Sequence, residues 1–171
     1  MFFFNKVAWK ISEFNTPSIS IQYDTGNVGQ VSQQNLAVNL RAAGPYIGGF
    51  VFKDFVVEKA APGAPPAFTP PPGAGGGPGG PGGGPGGGGA VNGWRTRQVP
   101  VGTGIINLQL IAQTLKEIGF DGPMECQPEW PELGGANNGL DKLTISREQV
   151  IALLKRDRIT VESALAAEGL I

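Results

Sequence analysis

Four charged residues stand where chain runs fit for a protein core come to an end, and they are the groups able to do chemistry. Asp24 closes the run Ile19 to Tyr23, Lys53 and Asp54 follow Gly49 to Phe52, and Glu125 sits inside Met124-Glu125-Cys126. The chain has no histidine, which removes both the commonest metal ligand and the commonest general base. Proton transfer or cation binding would therefore fall to carboxylates and lysines. Each group also has a plainer reading. Asp24-Thr25-Gly26-Asn27 can be an Asx turn held by its own backbone, and Lys53-Asp54 a solvated ion pair at a strand end.

The elements that must position these residues follow from periodicity. Leu108, Ile111, Leu115 and Ile118 share one helical face, Asn107 can cap the start, and Gly119 can take the left-handed conformation that ends the helix. The Asp121-Gly122-Pro123 turn leads from there into the Met124 strand. A second helix is expected over 32–43, stopped by Gly44-Pro45. A third is expected over 2–14, with Phe3, Val7, Ile11 and Phe14 on one stripe. Phe50-Val51-Phe52 lacks polar alternation, as a strand buried on both faces does. Strands alternating with helices predict a parallel sheet, because parallel neighbours need crossover connections. Sites on such sheets gather at the C-terminal strand ends, which places Asp24, Lys53, Asp54 and Glu125 on one rim.

Composition divides the chain of 171 residues into parts. Residues 60–90 are almost wholly Gly, Pro and Ala, too poor in apolar side chains to offset their ordering entropy, so this insert is expected to be disordered. It leaves the C-terminal end of the Phe50 strand, where extra loop length costs only about 0.6 kcal/mol per doubling. Residues 1–59 and 91–131 form the α/β part, and 132–171 a helical C-terminal extension. In that extension Ser146 and Gln149 make a capping box, a second short helix is expected from Thr160 to Ala167, and Lys155, Arg156 and Arg158 form a solvated face. The opening on Phe2-Phe3-Phe4 leads us to expect a start inside a longer ancestral domain.

Thirteen basic and fourteen acidic residues give a net charge of −1, which offers no electrostatic reason for nucleic acid or an anionic membrane as partner. No apolar run reaches the roughly 20 residues of a spanning helix, and a cytoplasmic location is expected. The single Cys126 excludes an internal disulfide. Val101-Gly102-Thr103-Gly104-Ile105 is neither a dinucleotide fingerprint, since Asn107 stands where its last glycine belongs, nor a P-loop. It is read as a tight turn. Arg95 and Arg97 can each clamp a phosphate or carboxylate, or stand as ordinary exposed arginines, while Trp130 can line a sugar pocket or close the end of the sheet.

In this order, Tyr23-Asp24-Thr25-Gly26-Asn27, Val51-Phe52-Lys53-Asp54-Phe55, the Val101 to Ile105 turn, Gly122-Pro123-Met124-Glu125 and the Leu153 to Asp157 tail resemble the xylose isomerase-like TIM-barrel family, often called sugar phosphate isomerases/epimerases. The resemblance implies a partial (β/α)8 barrel, about three C-terminal βα units, with the insert and the helical extension added. It implies metal-assisted proton transfer next to a carbonyl of a sugar or sugar phosphate, with Glu125 as base or ligand and Lys53 stabilising the enolate oxygen. Arg95 or Arg97 would hold the substrate's tail, and Asp24 and Glu125 would be metal ligands. Asn27 and Val51 stand where the family pattern has histidines, and an earlier glutamate strand has no counterpart. Two carboxylates hold a hard ion such as Mg²⁺ or Mn²⁺ weakly, so the metal site is expected to be incomplete. The chain by itself is expected to be inactive, and its open sheet edges to favour self-association. The alternative is a truncated, non-catalytic barrel module acting in binding or assembly.

Overall fold

A computed structural model describes residues 10–14, 16, 18–27, 36–61, 93–134 and 143–171 of the protein. Most of the helix expected over 2–14, the start of the one over 32–43 and nearly all of the insert lie outside the described residues; 10–14 are helical.

Strands β1 (Ile21–Asp24), β2 (Ile47–Phe52) and β5 (Met124–Cys126) form a parallel sheet in the order β1-β2-β5. Helix α1 (Leu36–Ala43) crosses from β1 to β2, and α2 (Leu108–Glu117) precedes β5. Leu36, Leu40 and Ala43 recur at helical spacing along α1, as do Ile111 and Leu115 along α2, and both sets bury against Tyr23, Phe50 and Phe52 in one core. Tyr23 stacks on Phe50 with ring centroids 5.5 Å apart and planes within 9°, and its hydroxyl donates to the Leu36 carbonyl oxygen at 3.1 Å. Burial raises the Tyr23 pKa well above the usual phenol range.

The expected helix signals operate as the sequence suggests. The Asn107 side chain accepts from the Leu110 N–H at 3.0 Å, and Gly119 ends α2 at φ +66°. Ser146 and Gln149 form the reciprocal capping box. The tail, however, is one helix, α3 (Arg147–Ala167), rather than two. Asp157, Val161 and Leu165 bury at four-residue spacing across the expected break, so one face docks continuously and no turn is needed. Among the described residues no helix is long and apolar enough to cross a membrane.

A second departure lies after β2. Strand β3 (Asp54–Lys59) pairs antiparallel with β4 (Trp94–Val99), from Asp54 opposite Val99 to Lys59 opposite Trp94. The insert therefore leaves from the tip of a hairpin, where the Ala60 N–H donates to the Gly93 carbonyl oxygen at 2.8 Å. Six residues per strand carry that tip roughly 20 Å from the rim. The sequence reading placed the insert on the rim itself, because Glu58, Lys59, Arg95 and Arg97 had masked the strand character of Val56-Val57 and Trp94–Gln98.

Candidate functional site

The C-terminal ends of the parallel strands are built around Thr25, Lys53 and Asp54, each at least nine-tenths buried. The Thr25 hydroxyl donates to the Lys53 carbonyl oxygen at 2.7 Å and accepts from the Lys53 N–H at 2.8 Å. One side chain thereby extends the β1–β2 ladder by a step. Gly26 comes next because of the lysine: a Cβ there would stand 2.8 Å from the Lys53 Cβ and 3.1 Å from its Cδ. Asp24 closes the turn, its Oδ1 accepting from the N–H groups of Gly26 (2.9 Å) and Asn27 (3.0 Å). All four residues of the Asp-Thr-Gly-Asn stretch thus have a part, since the Asn27 side-chain amide donates to Asp24 Oδ2 at 2.8 Å.

Lys53 and Asp54 do not pair with each other, so the reading of a solvated ion pair is wrong for them. Consecutive residues of an extended chain send their side chains to opposite sides. The Lys53 ammonium lies 3.0 Å from Asp24 Oδ2 and 3.1 Å from Glu129 Oε1, with only 6% of its side chain exposed. Gln98, on β4, donates to Glu129 Oε2 at 2.8 Å and holds that carboxylate toward the lysine. The Asp54 carboxylate turns the other way and receives the N–H groups of Phe55 (2.8 Å), Gly102 (3.0 Å), Gly104 (2.8 Å) and Ile106 (3.1 Å). A Cβ on Gly104 would land on this carboxylate, and Gly102 sits at φ +85°. The glycine-containing turn read from the sequence is therefore an anion nest whose anion is internal.

Glu125 stands in register with Val51, which is itself in register with Asp24, so the three form one row across the sheet. The Glu125 side chain is exposed, and the Gln22 amide donates to its Oε1 at 3.1 Å. Asp24 and Lys53 meet, but the second carboxylate on the lysine is Glu129, a loop residue outside the strand-end set expected from the sequence. Its signal was available in Gln127-Pro128-Glu129, a proline-stiffened exit directly after β5.

Arg95 and Arg97 are both engaged by Glu58. Arg95 Nη2 and Nε lie 2.6 and 2.9 Å from Glu58 Oε1, and Arg97 Nε lies 3.1 Å from Oε2. These hydrogen bonds hold the Glu58 carboxyl below its usual pKa. Trp130 does not line a pocket. It is 1% exposed, its indole N–H donates to Asp157 Oδ2 at 3.0 Å, and the Arg156 guanidinium lies 5.1 Å over its ring. Arg156 also bonds Asp157 Oδ1 at 2.9 Å, so it clamps this dock of α3 while remaining, with Lys155 and Arg158, on an exposed face. Burial, followed by the charges of Asp157, Glu162 and Glu125, pushes the Cys126 thiol up to about 11, which leaves it a poor nucleophile at neutral pH.

The metal reading fails a test of fit on these residues. Asp24 Oδ1 is occupied by two backbone N–H groups and Oδ2 by Asn27 and the lysine ammonium, while Glu125 bonds Gln22. Among the described residues no group of three or more His, Cys, Asp or Glu side chains is placed to hold an ion.

A parallel sheet layered on helices, with charged groups at its C-terminal rim, is the arrangement of a TIM-barrel sector. The sequence profile described as xylose isomerase-like TIM barrel matches residues 3–152, and the chain belongs to that family. Comparison with curated proteins and with solved structures gave no match.

Proposed function

We propose that the chain is a sugar or sugar phosphate isomerase/epimerase-like module, and that by itself it does not turn substrate over. The observation that carries this reading is the row of Asp24, Val51 and Glu125 across three parallel strands, with Lys53 directly after the end of β2. Glu125 is the carboxylate of this row with no cationic partner among the described residues, and its exposure leaves it accessible to a carbon-bound proton next to a carbonyl. The reaction would move that proton onto the carboxylate and return it to the neighbouring carbon, with a hydroxyl proton passing between the two oxygens, in isomerisation; epimerisation would need a second proton donor on the opposite face of the same carbon. Negative charge develops on the carbonyl oxygen meanwhile and needs a cation. Lys53 is the nearby candidate in the sequence, but two carboxylates already neutralise it. Arg95 and Arg97 would have to leave Glu58 to hold a phosphate. These engagements are why the isolated chain is expected to be silent.

The test is proton exchange into deuterated water, followed by NMR, over a panel of ketoses, aldoses and their phosphates. No incorporation with the wild-type chain is the expected result. Incorporation that disappears in Glu125→Gln would show that the chain is an active enzyme alone and overturn the second half of the proposal.

One observation favours a second reading, an assembly module. The outer edges of β1 and β5 have no strand partner among the described residues, and unpaired edges accept strands from another chain. Sedimentation velocity across a concentration series decides it: a monomer at every concentration argues against assembly through these edges.

A further inference from the structure

The misfit between the rim and a metal ion has a positive content. We infer that Lys53 is the rim's built-in cation, its ammonium standing where a divalent ion would otherwise neutralise Asp24 and Glu129, and that the wild-type rim is therefore closed to Mn²⁺ and Mg²⁺. The inference does not depend on isomerase activity, because its readout is ion binding.

Three features of the rim carry it. First, the ammonium bridges carboxylates from different parts of the chain, Asp24 at the end of β1 and Glu129 after β5, at 3.0 and 3.1 Å. A Mg²⁺ ion would hold such oxygens at about 2.0–2.1 Å, a contraction of about 1 Å on each side that the rim would have to make if the lysine were absent. Second, every oxygen of the pair has a donor. Asp24 Oδ1 takes two backbone N–H groups, Asp24 Oδ2 takes Asn27 and Lys53, Glu129 Oε1 takes Lys53, and Glu129 Oε2 takes Gln98. Asn27 must present its N–H to Asp24, since a carboxylate can only accept, so it offers a donor and not a ligand atom toward the site. Third, the lysine is built in. Its backbone is held on both sides by the buried Thr25 hydroxyl, and its stem lies against Gly26, where no larger residue fits without displacing it. An ammonium is a compact point charge with three donors, able to serve two carboxylates at once.

The experiment is calorimetric titration of the full chain with MnCl₂, for wild type, Asp24→Asn, Lys53→Ala and Lys53→Ala/Asp24→Asn, with thermal unfolding in Mn²⁺ and in EDTA. Wild type should show no saturable Mn²⁺ uptake and the same Tm in both buffers. Lys53→Ala vacates the cation position and should bind Mn²⁺ at least about tenfold more tightly than wild type, with a Tm that rises with the ion. The double variant should lose both effects. The inference is overturned if wild type takes up Mn²⁺ and Asp24→Asn abolishes the uptake, or if Lys53→Ala, folded by circular dichroism, gains no binding. Should Lys53→Ala not fold, the wild-type titration decides alone: silence upholds the built-in cation, and uptake sensitive to Asp24→Asn refutes it.

Discussion

The rim of the parallel sheet and the β3–β4 hairpin both join carboxylates to cationic side chains and put those pairs to different physical use. At the rim, Lys53 and Asp54 are 6% and 1% exposed, and most of the hydrogen bonds they make join segments far apart in sequence. On the hairpin, Glu58 receives Arg95 and Arg97 from the facing strand, with the three side chains about a third exposed. The hairpin charges have water as an alternative partner, and Lys53 and Asp54 do not. A buried charge that loses its partner keeps the whole desolvation cost, while a solvated one recovers most of it from the solvent. Burial therefore predicts a steep gradient of mutational effects across side chains of similar chemistry.

The largest effect should come from Asp54→Ala. Four backbone N–H groups lose their acceptor, three of them in the Gly102 to Ile106 turn that leads into α2, and the site is closed to water. We expect a loss of about 3–5 kcal/mol in urea denaturation, together with faster amide exchange at Gly102 and Gly104. A loss below about 1 kcal/mol would mean that the turn is held by something other than this carboxylate. Lys53→Met ranks next. It keeps the stem and removes the charge, leaving Asp24 and Glu129 facing each other, but both carboxylates have some access to water and Asp24 keeps its backbone donors. About 2–3 kcal/mol is expected, and less in added salt, which screens the two carboxylates from each other. A loss unchanged by salt would point to packing of the stem instead.

Much of this contrast was absent from the sequence because burial of a charge depends on tertiary partners. The helix caps at Asn107 and Ser146, the glycine stop at Gly119 and the buried strand Phe50-Val51-Phe52 were legible, since each is a local pattern whose physics lies within a few residues. The hairpin was not, because alternating charges on β3 and β4 resemble a solvated loop until the Glu58 and Arg95 registers face each other. The rim residues Asp24, Lys53 and Glu125 were legible as strand-end charges. Which carboxylate reaches the lysine was not, because Glu129 enters only through the fold of the loop after β5. Trp130 misled for the same reason: an aromatic beside prolines reads as a pocket wall until Asp157, from a helix that comes later in the chain, covers its indole N–H.

Thr25→Val sharpens the comparison from the neutral side. The substitution is nearly isosteric and removes one hydroxyl that both donates to and accepts from the Lys53 backbone in a fully buried position. About 1–2 kcal/mol should be lost, less than for the charged neighbours because no ion is left unpaired. Together with Lys53→Met it also tests coupling. The Thr25 hydroxyl bonds the Lys53 backbone directly, so their effects should fall short of additive, and strict additivity in a double-mutant cycle would separate the hydroxyl bridge from the placement of the ammonium.

The smallest effect belongs to the hairpin, and its sign follows from linkage. Arg95 and then Arg97 hold the Glu58 carboxyl below its ordinary pKa of 4.5, so the folded state releases this proton more readily than the unfolded chain does. The pairing therefore contributes its full stability above pH 4.5, and the contribution is lost as pH falls through the lower, folded-state value. Because the three side chains are solvated and salt screens them, Glu58→Gln at neutral pH should shift the urea midpoint only slightly, while Asp54→Ala shifts it plainly. The small difference between wild type and Glu58→Gln should shrink in high salt and vanish once the pH falls below the lowered folded-state pKa. Denaturation of the two proteins at neutral pH, at acid pH and in added salt checks each part. A Glu58→Gln effect as large as that of Asp54→Ala, or one that grows on acidification, would mean that the hairpin charges are as cut off from water as the rim, and the contrast between the two regions would fail.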